Sequence, residues 1–244
     1  MEGWSLAESG NFEEAQVKFK STLVLDEKNH FAHNGLGYCL QQENKIQEAL
    51  SEYEKAIALR PDYAQAYYNK GVCYGLLGNA EEELEGYNKA IEFDSAFVSA
   101  YLNRGVLLGA LGKYDEEIDD YNKAISFDTT RADVYNNRAY ALDDMGRFKE
   151  ALSDYNRAIQ LDSTNAAIYV NRGAIYGNLN LKKLELKDYN KAIELDSTIS
   201  EAYISRGVFL CEQNNKREGC IVITHALKMG DPDAERILKQ YCND

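Results

Sequence analysis

The sequence has very little proline, few histidines and no long hydrophobic run. Its 244 residues include 2 prolines, 3 histidines and 1 tryptophan. Because proline interrupts helices and the chain is rich in Ala, Leu, Glu and Lys, this composition favours an all-helical protein. No apolar stretch approaches the ~20 residues that a membrane-spanning helix needs, so we expect no membrane insertion. With 45% hydrophobic residues, the chain is able to bury a large core.

Positive charge is also scarce. The chain has 27 Lys and Arg against 40 Asp and Glu, which gives a formal net charge of -13. An acidic surface repels phosphate backbones, so nucleic acid is excluded as an expected partner, and a basic partner is favoured. The first residues, MEGWSLAESGNFEEA, lack the positive and apolar regions of a signal peptide, which favours a cytoplasmic location. They begin inside a helical pattern, which leaves open whether Met1 is the natural start of the chain.

Groups that usually carry chemistry are few and scattered. His30 and His33 share a helix face, but neither they nor His225 have further metal ligands at a suitable spacing. The glycines do not cluster after a strand, as phosphate-binding loops require. No serine or cysteine is accompanied by a base and an orienting partner. We therefore expect no enzyme activity, no metal and no cofactor.

What the chain does have is a repeat of 34 residues. Within each repeat, apolar residues recur every three or four positions, which is the period of a helix. A small residue marks the first half of each repeat: Gly37, Gly71, Gly105, Ala139, Gly173, Gly207. A tyrosine marks the second half: Tyr53, Tyr87, Tyr121, Tyr155, Tyr189. An alanine follows three residues later: Ala56, Ala90, Ala124, Ala158, Ala192 and, in the last repeat, Ala226.

Two breaks in each repeat predict a helix-turn-helix unit. One is a glycine or asparagine in the middle, at Gly78, Gly112, Gly146 and Asn180. The other is a junction with Asp, Ser or Thr, such as Asp94-Ser95 or Asp128-Thr129, which we expect to cap the next helix. These columns and this period resemble the tetratricopeptide repeat (TPR) family. The resemblance implies an all-α, right-handed α-solenoid of about seven repeats with a C-terminal capping helix.

The expected domain organisation follows the period. We predict a single solenoid domain over residues 1–244, in which Gly230, Asp231 and Pro232 end the last repeat and start the capping helix. The predicted segments are a partial repeat at 1–29, repeats at 30–63, 64–97, 98–131, 132–165, 166–199 and 200–233, and a capping helix at 234–244.

Three repeats depart from the pattern by placing glutamate at a position that faces the small residue of the first helix. These residues are Glu83, Glu117 and Glu185, where other repeats have alanine or glycine. An unpaired carboxylate there would be costly. Since Lys70, Arg104 and Arg172 precede the glycines of the same repeats, we expect structural pairing between the acids and these basic residues, and a role in a ligand site is the alternative.

The first helices also predict a ligand-binding face. Asparagine recurs at one position of four successive first helices, and its amide is able to bond a peptide group through both donor and acceptor. Packed helices lie about 8–10 Å apart and an extended chain advances about 3.3 Å per residue, so a bound peptide would meet one asparagine about every third residue. The predicted site consists of this column and its flanks: Asn69, Asn103, Asn137, Asn171; Tyr68, Leu102, Asn136, Val170; Val72, Val106, Tyr140, Ala174.

The asparagine column has a second interpretation, in which each amide bonds to a neighbouring helix. The column resembles the asparagine array in the TPR domain of O-linked N-acetylglucosamine transferase, and this resemblance implies contacts with peptide backbones. The lysines and asparagines of the basic clamp in chaperone-tail-binding TPR proteins are absent from their places. A second asparagine column lies on the second helix of each repeat and is interpreted as a solvated face: Asn88, Asn122, Asn156 and Asn190.

Of the five cysteines, Cys39 and Cys73 occupy one equivalent helix position and are interpreted as core residues. Cys220 lies early on the last repeat's second helix and Cys242 lies late on the antiparallel capping helix, so their sulfurs are able to meet. A disulfide between them would place the protein in an oxidising compartment, periplasmic or extracellular, whereas the odd cysteine total argues against it.

Three functions remain open from the sequence. The first is a non-catalytic scaffold that binds a peptide or protein segment in the concave groove of a TPR superhelix. The second is a substrate-recognition or targeting domain of a larger enzyme or assembly factor. The third is structural self-association. We expect a monomer or a weak homo-oligomer, and the sequence does not identify the partner.

Overall fold

The computed structural model describes residues 2–242. This part of the chain contains fifteen α-helices and no strand. The helices are α1 Glu2–Glu8, α2 Phe12–Leu25, α3 His30–Gln42, α4 Ile46–Leu59, α5 Ala64–Leu76, α6 Ala80–Phe93, α7 Val98–Ala110, α8 Tyr114–Phe127, α9 Ala132–Asp144, α10 Phe148–Leu161, α11 Ala166–Asn178, α12 Lys182–Leu195, α13 Ser200–Glu212, α14 Lys216–Lys228 and α15 Ala234–Tyr241.

Consecutive helices pack as pairs, and the predicted turns inside the pairs are confirmed. Gly78, Gly112 and Gly146 have φ angles of 74°, 74° and 71°. Asn180 takes the same left-handed conformation at 57°. Only glycine adopts this region without strain, and asparagine tolerates it better than most residues, so these positions end the first helix of each pair. The alternation of helix and turn follows from this local chemistry.

The junctions between pairs use their aspartates differently from the prediction. Each aspartate follows the second helix and accepts a hydrogen bond from the backbone N–H two residues later, as Asp128 does from Thr130 at 2.8 Å and Asp196 from Thr198 at 2.8 Å. The N-cap positions of the next helices are Arg131 and Ile199. The junction aspartates therefore form local turns and do not cap the following helix, because three further residues separate them from it.

Close packing of a small residue against a tyrosine holds each pair together. A Cβ atom added at Gly105 would lie 2.7 Å from Cε1 of Tyr121, whose side chain is buried on the facing helix. The same relation joins Gly173 to Tyr189 at 2.6 Å. A side chain at these glycines would force the ring out of its place, so the small column allows the tyrosine column to fill the space between helices.

The chain divides into two compact units, with the boundary between Phe127 and Asp128. The first unit contains α1 to α8, and each helix packs against its neighbours in the chain. Its first pair begins with the short helix α1, where Trp4 packs against Phe19 and Tyr38 with ring centroids 5.5 and 5.7 Å apart. Helix α1 has 7 residues, whereas the first helix of the next pair, α3, has 13.

The second unit contains α9 to α15. Its first helices contact each other in order, α9 with α11 and α11 with α13, and α15 packs against α13 and α14. Ala234 and Ile237 of α15 are buried with Ile223 and Ala226 of α14. Helix α15 therefore covers the apolar surface that the last pair would otherwise expose.

The start of α15 differs from the prediction. Its N-cap position is Asp233, and Pro232 precedes the helix. Asp231 accepts a hydrogen bond from the backbone N–H of Asp233 at 2.9 Å and another from the Ser200 hydroxyl at 2.5 Å. Asp231 thus connects the turn before α15 to α13 through a hydrogen bond. Met1 of the predicted first segment and residues 243–244 of the predicted capping segment lie outside the described residues.

None of the described helices combines the length and the apolar character that crossing a membrane requires.

Candidate ligand-binding face

In the first unit, the asparagine column takes part in hydrogen bonds between helices. Asn69 on α5 is 6% exposed and donates from Nδ2 to Oδ1 of Asn34 on α3 at 3.0 Å. Its own Oδ1 accepts from Nε2 of Gln65 at 3.0 Å. Asn103 on α7 donates to the hydroxyl of Tyr68 on α5 at 3.0 Å. These contacts support the interpretation in which the amides tie neighbouring first helices together.

The column is less engaged in the second unit. Asn137 accepts from Nδ2 of its neighbour Asn136 at 3.3 Å, and the buried Oδ1 of Asn136 has no hydrogen-bond partner within residues 2–242. Asn171 on α11 is half-buried, and no hydrogen bond of its side chain is present in the same described range. The amides of α9 and α11 therefore have donor and acceptor capacity left for another molecule.

The two flanking columns differ in exposure. One residue before the asparagines, Leu102 and Val170 are 8% and 3% exposed, so their side chains pack in the core and line no accessible surface. Three residues after the asparagines, Val106 and Tyr140 are 49% and 54% exposed. Ala174 is exposed as well, whereas Val72 is half-buried. The most exposed part of the predicted site is therefore the later column, while Tyr68 and Asn136 of the earlier column are half-buried.

Each of the three unusual glutamates lies over a glycine of the first helix. A Cβ atom added at Gly75, Gly109 or Gly177 would lie 2.6, 2.6 or 2.9 Å from a carboxylate oxygen of Glu83, Glu117 or Glu185 respectively. The hydroxyl of Tyr87 donates to Glu83 at 3.1 Å, and that of Tyr121 donates to Glu117 at 3.1 Å. Burial raises the pKa of Glu83 and Glu185 above the ordinary value for glutamate.

The predicted pairing of these acids with basic residues of the first helix is corrected by the structure. Arg104 binds Asp120 through two hydrogen bonds of 2.7 Å, and Arg172 binds Asp188 through bonds of 2.7 and 2.8 Å. Lys70 pairs with Glu54 at 3.2 Å. Two parallel N–H donors match a carboxylate well, so the arginines serve the buried aspartates on the next helix, 16 residues later.

The second asparagine column also has a structural role, contrary to the expectation of a solvated face. Asn88 on α6 accepts a hydrogen bond of 2.7 Å from Nη1 of Arg104 on α7. Asn156 on α10 accepts one of the same length from Arg172 on α11. Each arginine therefore bonds to an aspartate within its own helix pair and to an asparagine of the preceding pair. In this way it joins the two helix pairs.

A pocket of about 530 Å³ opens on the first-helix face of the second unit, between α11 and α13. The exposed Ala174 and the half-buried Val208, which is its equivalent on α13, line it together with Ser205, which takes the asparagine position on α13. Glu185 and Glu212 supply two carboxylates, and the lining is completed by Gly177, Asn178, Asn180, Lys182, Tyr189, Ile204, Phe209 and Gln213.

Glu212 and Gln213 line this pocket but were not among the site residues predicted from the sequence. The Glu212 charge adds to burial in raising the pKa of Glu185, so the two acids affect each other electrostatically. A signal was available for Glu185, since the repeats with glutamate at this position are those with Gly75, Gly109 and Gly177 on the first helix. The repeats with Ala49 or Ala151 have Gln41 or Asp143 there, which shows that the two columns change together.

Family models place the chain among known repeats. Models described as tetratricopeptide repeat match residues 64–97, 98–130, 132–165 and 166–199. A model described as TPR repeat matches residues 40–78. The chain belongs to the tetratricopeptide repeat family, whose helix pairs form scaffolds for protein–protein interaction. No curated protein sequence matches the chain.

Solved TPR structures share the fold. A chain of the APC/C hetero-tetramer Cut9–Hcn1 has a TM-score of 0.82 at 15% identity, covering 99% of this chain and 48% of its own length. A tetratricopeptide repeat protein from Parabacteroides merdae has a TM-score of 0.71 at 20% identity, with 99% and 96% covered. YrrB, a TPR protein described as having an unusual peptide-binding site, has a TM-score of 0.62 at 21% identity, with 75% and 95% covered. This chain therefore spans about half the length of the Cut9–Hcn1 chain.

Proposed function

We propose that this chain is a non-catalytic scaffold that binds a polypeptide segment along its first-helix face, and that the pocket of the second unit receives a basic side chain of that segment. The observation that carries the proposal is the pocket of about 530 Å³ lined by two carboxylates, a serine in the asparagine column and the exposed flanking residues. The TPR family and its interaction scaffolds support the general class of function.

The electrostatics of the pocket favour a cation. Burial and the neighbouring Glu212 both raise the pKa of Glu185, which means that its negative charge is destabilised when the pocket is empty. A lysine or arginine side chain between the two carboxylates would offset this repulsion. Lys182 at the rim donates a hydrogen bond to Gln213 at 3.0 Å, and its charge lowers the pKa of Glu185 without cancelling the rise.

The apolar residues of the pocket suit the aliphatic part of a long basic side chain. Val208 and Ile204 of α13 lie beside the acids, and Phe209 adds an aromatic surface. Lysine and arginine carry an apolar stem below the charged end, so a pocket with both kinds of lining fits them better than it fits a purely apolar side chain. The likeness in fold to YrrB, which is described as having a peptide-binding site, supports a peptide as the ligand class.

The test is binding of a fluorescein-labelled extended peptide with one arginine among alanine and serine residues, measured by fluorescence anisotropy. The double variant Glu185→Gln, Glu212→Gln should weaken binding about tenfold, which corresponds to about 1.4 kcal/mol. The same peptide with glutamate in place of arginine should bind at least as weakly to the parent protein.

Glu194→Gln is the matched control, because Glu194 lies on α12 with Glu185 but its side chain is 71% exposed and outside the pocket. Equal affinity of the parent protein and the double variant for the arginine peptide would contradict the proposal. A concentration series by light scattering, without peptide, separates peptide binding from self-association, which would increase the mass with concentration.

A further inference from the structure

The C-terminal end of the second unit holds three cysteine sulfurs in one place. Cys220 on α14 and Cys242 just after α15 form a disulfide, with 5.8 Å between their Cα atoms. Cys211 on α13 is a free thiol, and the three sulfur atoms all lie within 4.8 Å of one another. All three cysteines are half-buried. At this distance, the Cys211 thiol is close enough to either sulfur of the disulfide to form a new disulfide bond with it.

Gly219 gives Cys211 the space that it occupies. A Cβ atom added at Gly219 would overlap the sulfur of Cys211. The preceding repeats have Ala15, Ala49, Glu83, Glu117, Ala151 and Glu185 at the equivalent position. At the position of Cys211 the earlier repeats have Gln41, Gly75, Gly109, Asp143 and Gly177. The last pair thus combines a thiol on the first helix with a glycine on the second, next to the half-cystine Cys220.

We propose that Cys211, Cys220 and Cys242 form an intramolecular thiol–disulfide exchange site that removes the covalent link between α15 and α14. The Cys211 thiolate attacks the sulfur of Cys220, a Cys211–Cys220 bond forms and the Cys220–Cys242 bond breaks. Cys242 leaves as a thiolate and takes up the proton that Cys211 gave to solvent. One disulfide and one thiol are present before and after, so the step needs no external oxidant or reductant.

The exchange changes what holds α15 in place. In the starting state the disulfide ties the end of α15 to α14, across 22 residues of sequence. The new disulfide ties α13 to α14, which already pack as a pair, and leaves α15 held by non-covalent contacts. These contacts are Ala234 and Ile237 against Ile223 and Ala226, with Leu238 and Tyr241 partly buried. The exchange therefore loosens the cover of the apolar surface at this end.

Charged groups around Cys211 set the pH dependence. Burial raises the pKa of Cys211 above its ordinary value and the Glu212 carboxylate adds to this, while the Lys216 ammonium opposes it. Tyr241 at the end of α15 donates to Glu212 at 3.3 Å. Because the thiolate is the attacking species, the exchange rate should rise about tenfold per pH unit until the pH passes the pKa of Cys211.

The exchange is measured on the full chain, purified without reductant and incubated at pH 6 and at pH 9. Samples are quenched with acid, denatured and alkylated, and the free cysteines are located by tryptic mass mapping. Lys216, Arg217 and Lys239 separate the three cysteines into different peptides. We expect the label on Cys39, Cys73 and Cys211 at pH 6. At pH 9, label should pass from Cys211 to Cys242 in a growing fraction of chains, with the number of free thiols unchanged.

The variant Cys211→Ser should keep Cys242 unlabelled at both pH values. Cys73→Ser is the matched control and should exchange like the parent, since Cys73 is buried in the first unit and burial raises its pKa to about 12. Label confined to Cys211 in the parent at every pH would overturn the proposal, as would five labelled cysteines in each chain. This parental result stands whether or not the serine variant folds. A transfer rate that depends on protein concentration would also overturn it, because exchange would then occur between molecules.

Discussion

At the scale of single residues, one sequence column contains asparagines in different surroundings. Asn69 is buried and bonds to Asn34 and Gln65, whereas Asn171 is half-buried and its amide has no partner within the described part of the chain. When a buried amide is removed, the polar atoms that it bonded to are left unsatisfied. This costs more free energy than the loss of a hydrogen bond that is exposed to solvent. The contribution to stability therefore differs between members of the same column.

This division predicts opposite results for two alanine substitutions. Asn69→Ala should lower the free energy of unfolding by about 1–3 kcal/mol, because Oδ1 of Asn34 loses its donor in the core. Asn171→Ala should change it by less than about 0.5 kcal/mol. Urea denaturation followed by circular dichroism measures both. A loss for Asn171→Ala as large as that for Asn69→Ala would show that the column is structural throughout.

Glu83 offers a test of the buried carboxylates through pH. Burial raises the pKa of Glu83 above its unfolded value, so the folded protein holds this proton more tightly. Stability from the protonated form is then present at low pH and lost as the pH rises through the folded pKa. Glu83→Gln keeps an acceptor for the Tyr87 hydroxyl without the charge. We expect it to be more stable than the parent at pH 7 and to lose this advantage near pH 4.

The control for this experiment is Glu92→Gln, which removes a charge from the exposed side of the same helix and corrects for the change in net charge. Thermal unfolding at several pH values provides the comparison. If Glu83→Gln were less stable than the parent at pH 7, the Glu83 carboxylate would be stabilising in its charged form, and the argument from burial would be wrong.

At the scale of helices, arginine joins successive pairs. Arg172 on α11 holds Asp188 of α12 and Asn156 of α10 with three hydrogen bonds between 2.7 and 2.8 Å. Arg138 holds Asp154 in the same way as Arg172 holds Asp188, at 2.6 and 2.8 Å. The buried aspartates have given up water, so removing the arginine leaves a carboxylate without a paired cation in the described residues 2–242. These arginine–aspartate ion pairs therefore align neighbouring helices and also contribute to stability.

Arg172→Met should lower the free energy of unfolding by about 3–5 kcal/mol, because Asp188 is 3% exposed and loses its cation. The double variant Arg172→Met, Asp188→Leu should regain most of this loss. The surface pair of Arg147 and Glu150 is the control, and Arg147→Met should cost less than about 1 kcal/mol. Urea denaturation of the four proteins is the measurement, and a double variant as unstable as the single one would contradict this account.

At the scale of the whole molecule, negative charge exceeds positive charge by a wide margin. The formal net charge of -13 produces repulsion between surface carboxylates that salt screens. Raising NaCl from about 20 to about 500 mM should therefore stabilise the protein by about 1 kcal/mol, or about 2–4 °C in Tm for a chain of this size. Buried Arg–Asp pairs are screened less. A fall in Tm with salt would mean that surface ion pairs outweigh the repulsion.

Helix positions, the turns inside the helix pairs and the glycine–tyrosine packing were predictable, because each depends on residues that are close in sequence or on a regular period. Gly112 is left-handed and Gly105 faces Tyr121, as the columns indicate. The partners of Arg104 and Asn69 were not predictable in this way. They depend on which faces of two helices meet, and several polar residues were available to each. The recurrence of Asp120, Asp154 and Asp188 at the same step of 34 was the signal that was missed.

The sequence by itself determined a repeating helix pair, its turns and its membership of the TPR family, because a period of 34 residues and left-handed turn positions act locally in every repeat. Only the tertiary structure decided which asparagines are buried, which aspartates hold the arginines, and where two glutamates meet around a pocket. These outcomes depend on distances between helices that are far apart along the chain. Replacing one side chain by a larger or smaller one alters these contacts without changing the 34-residue period.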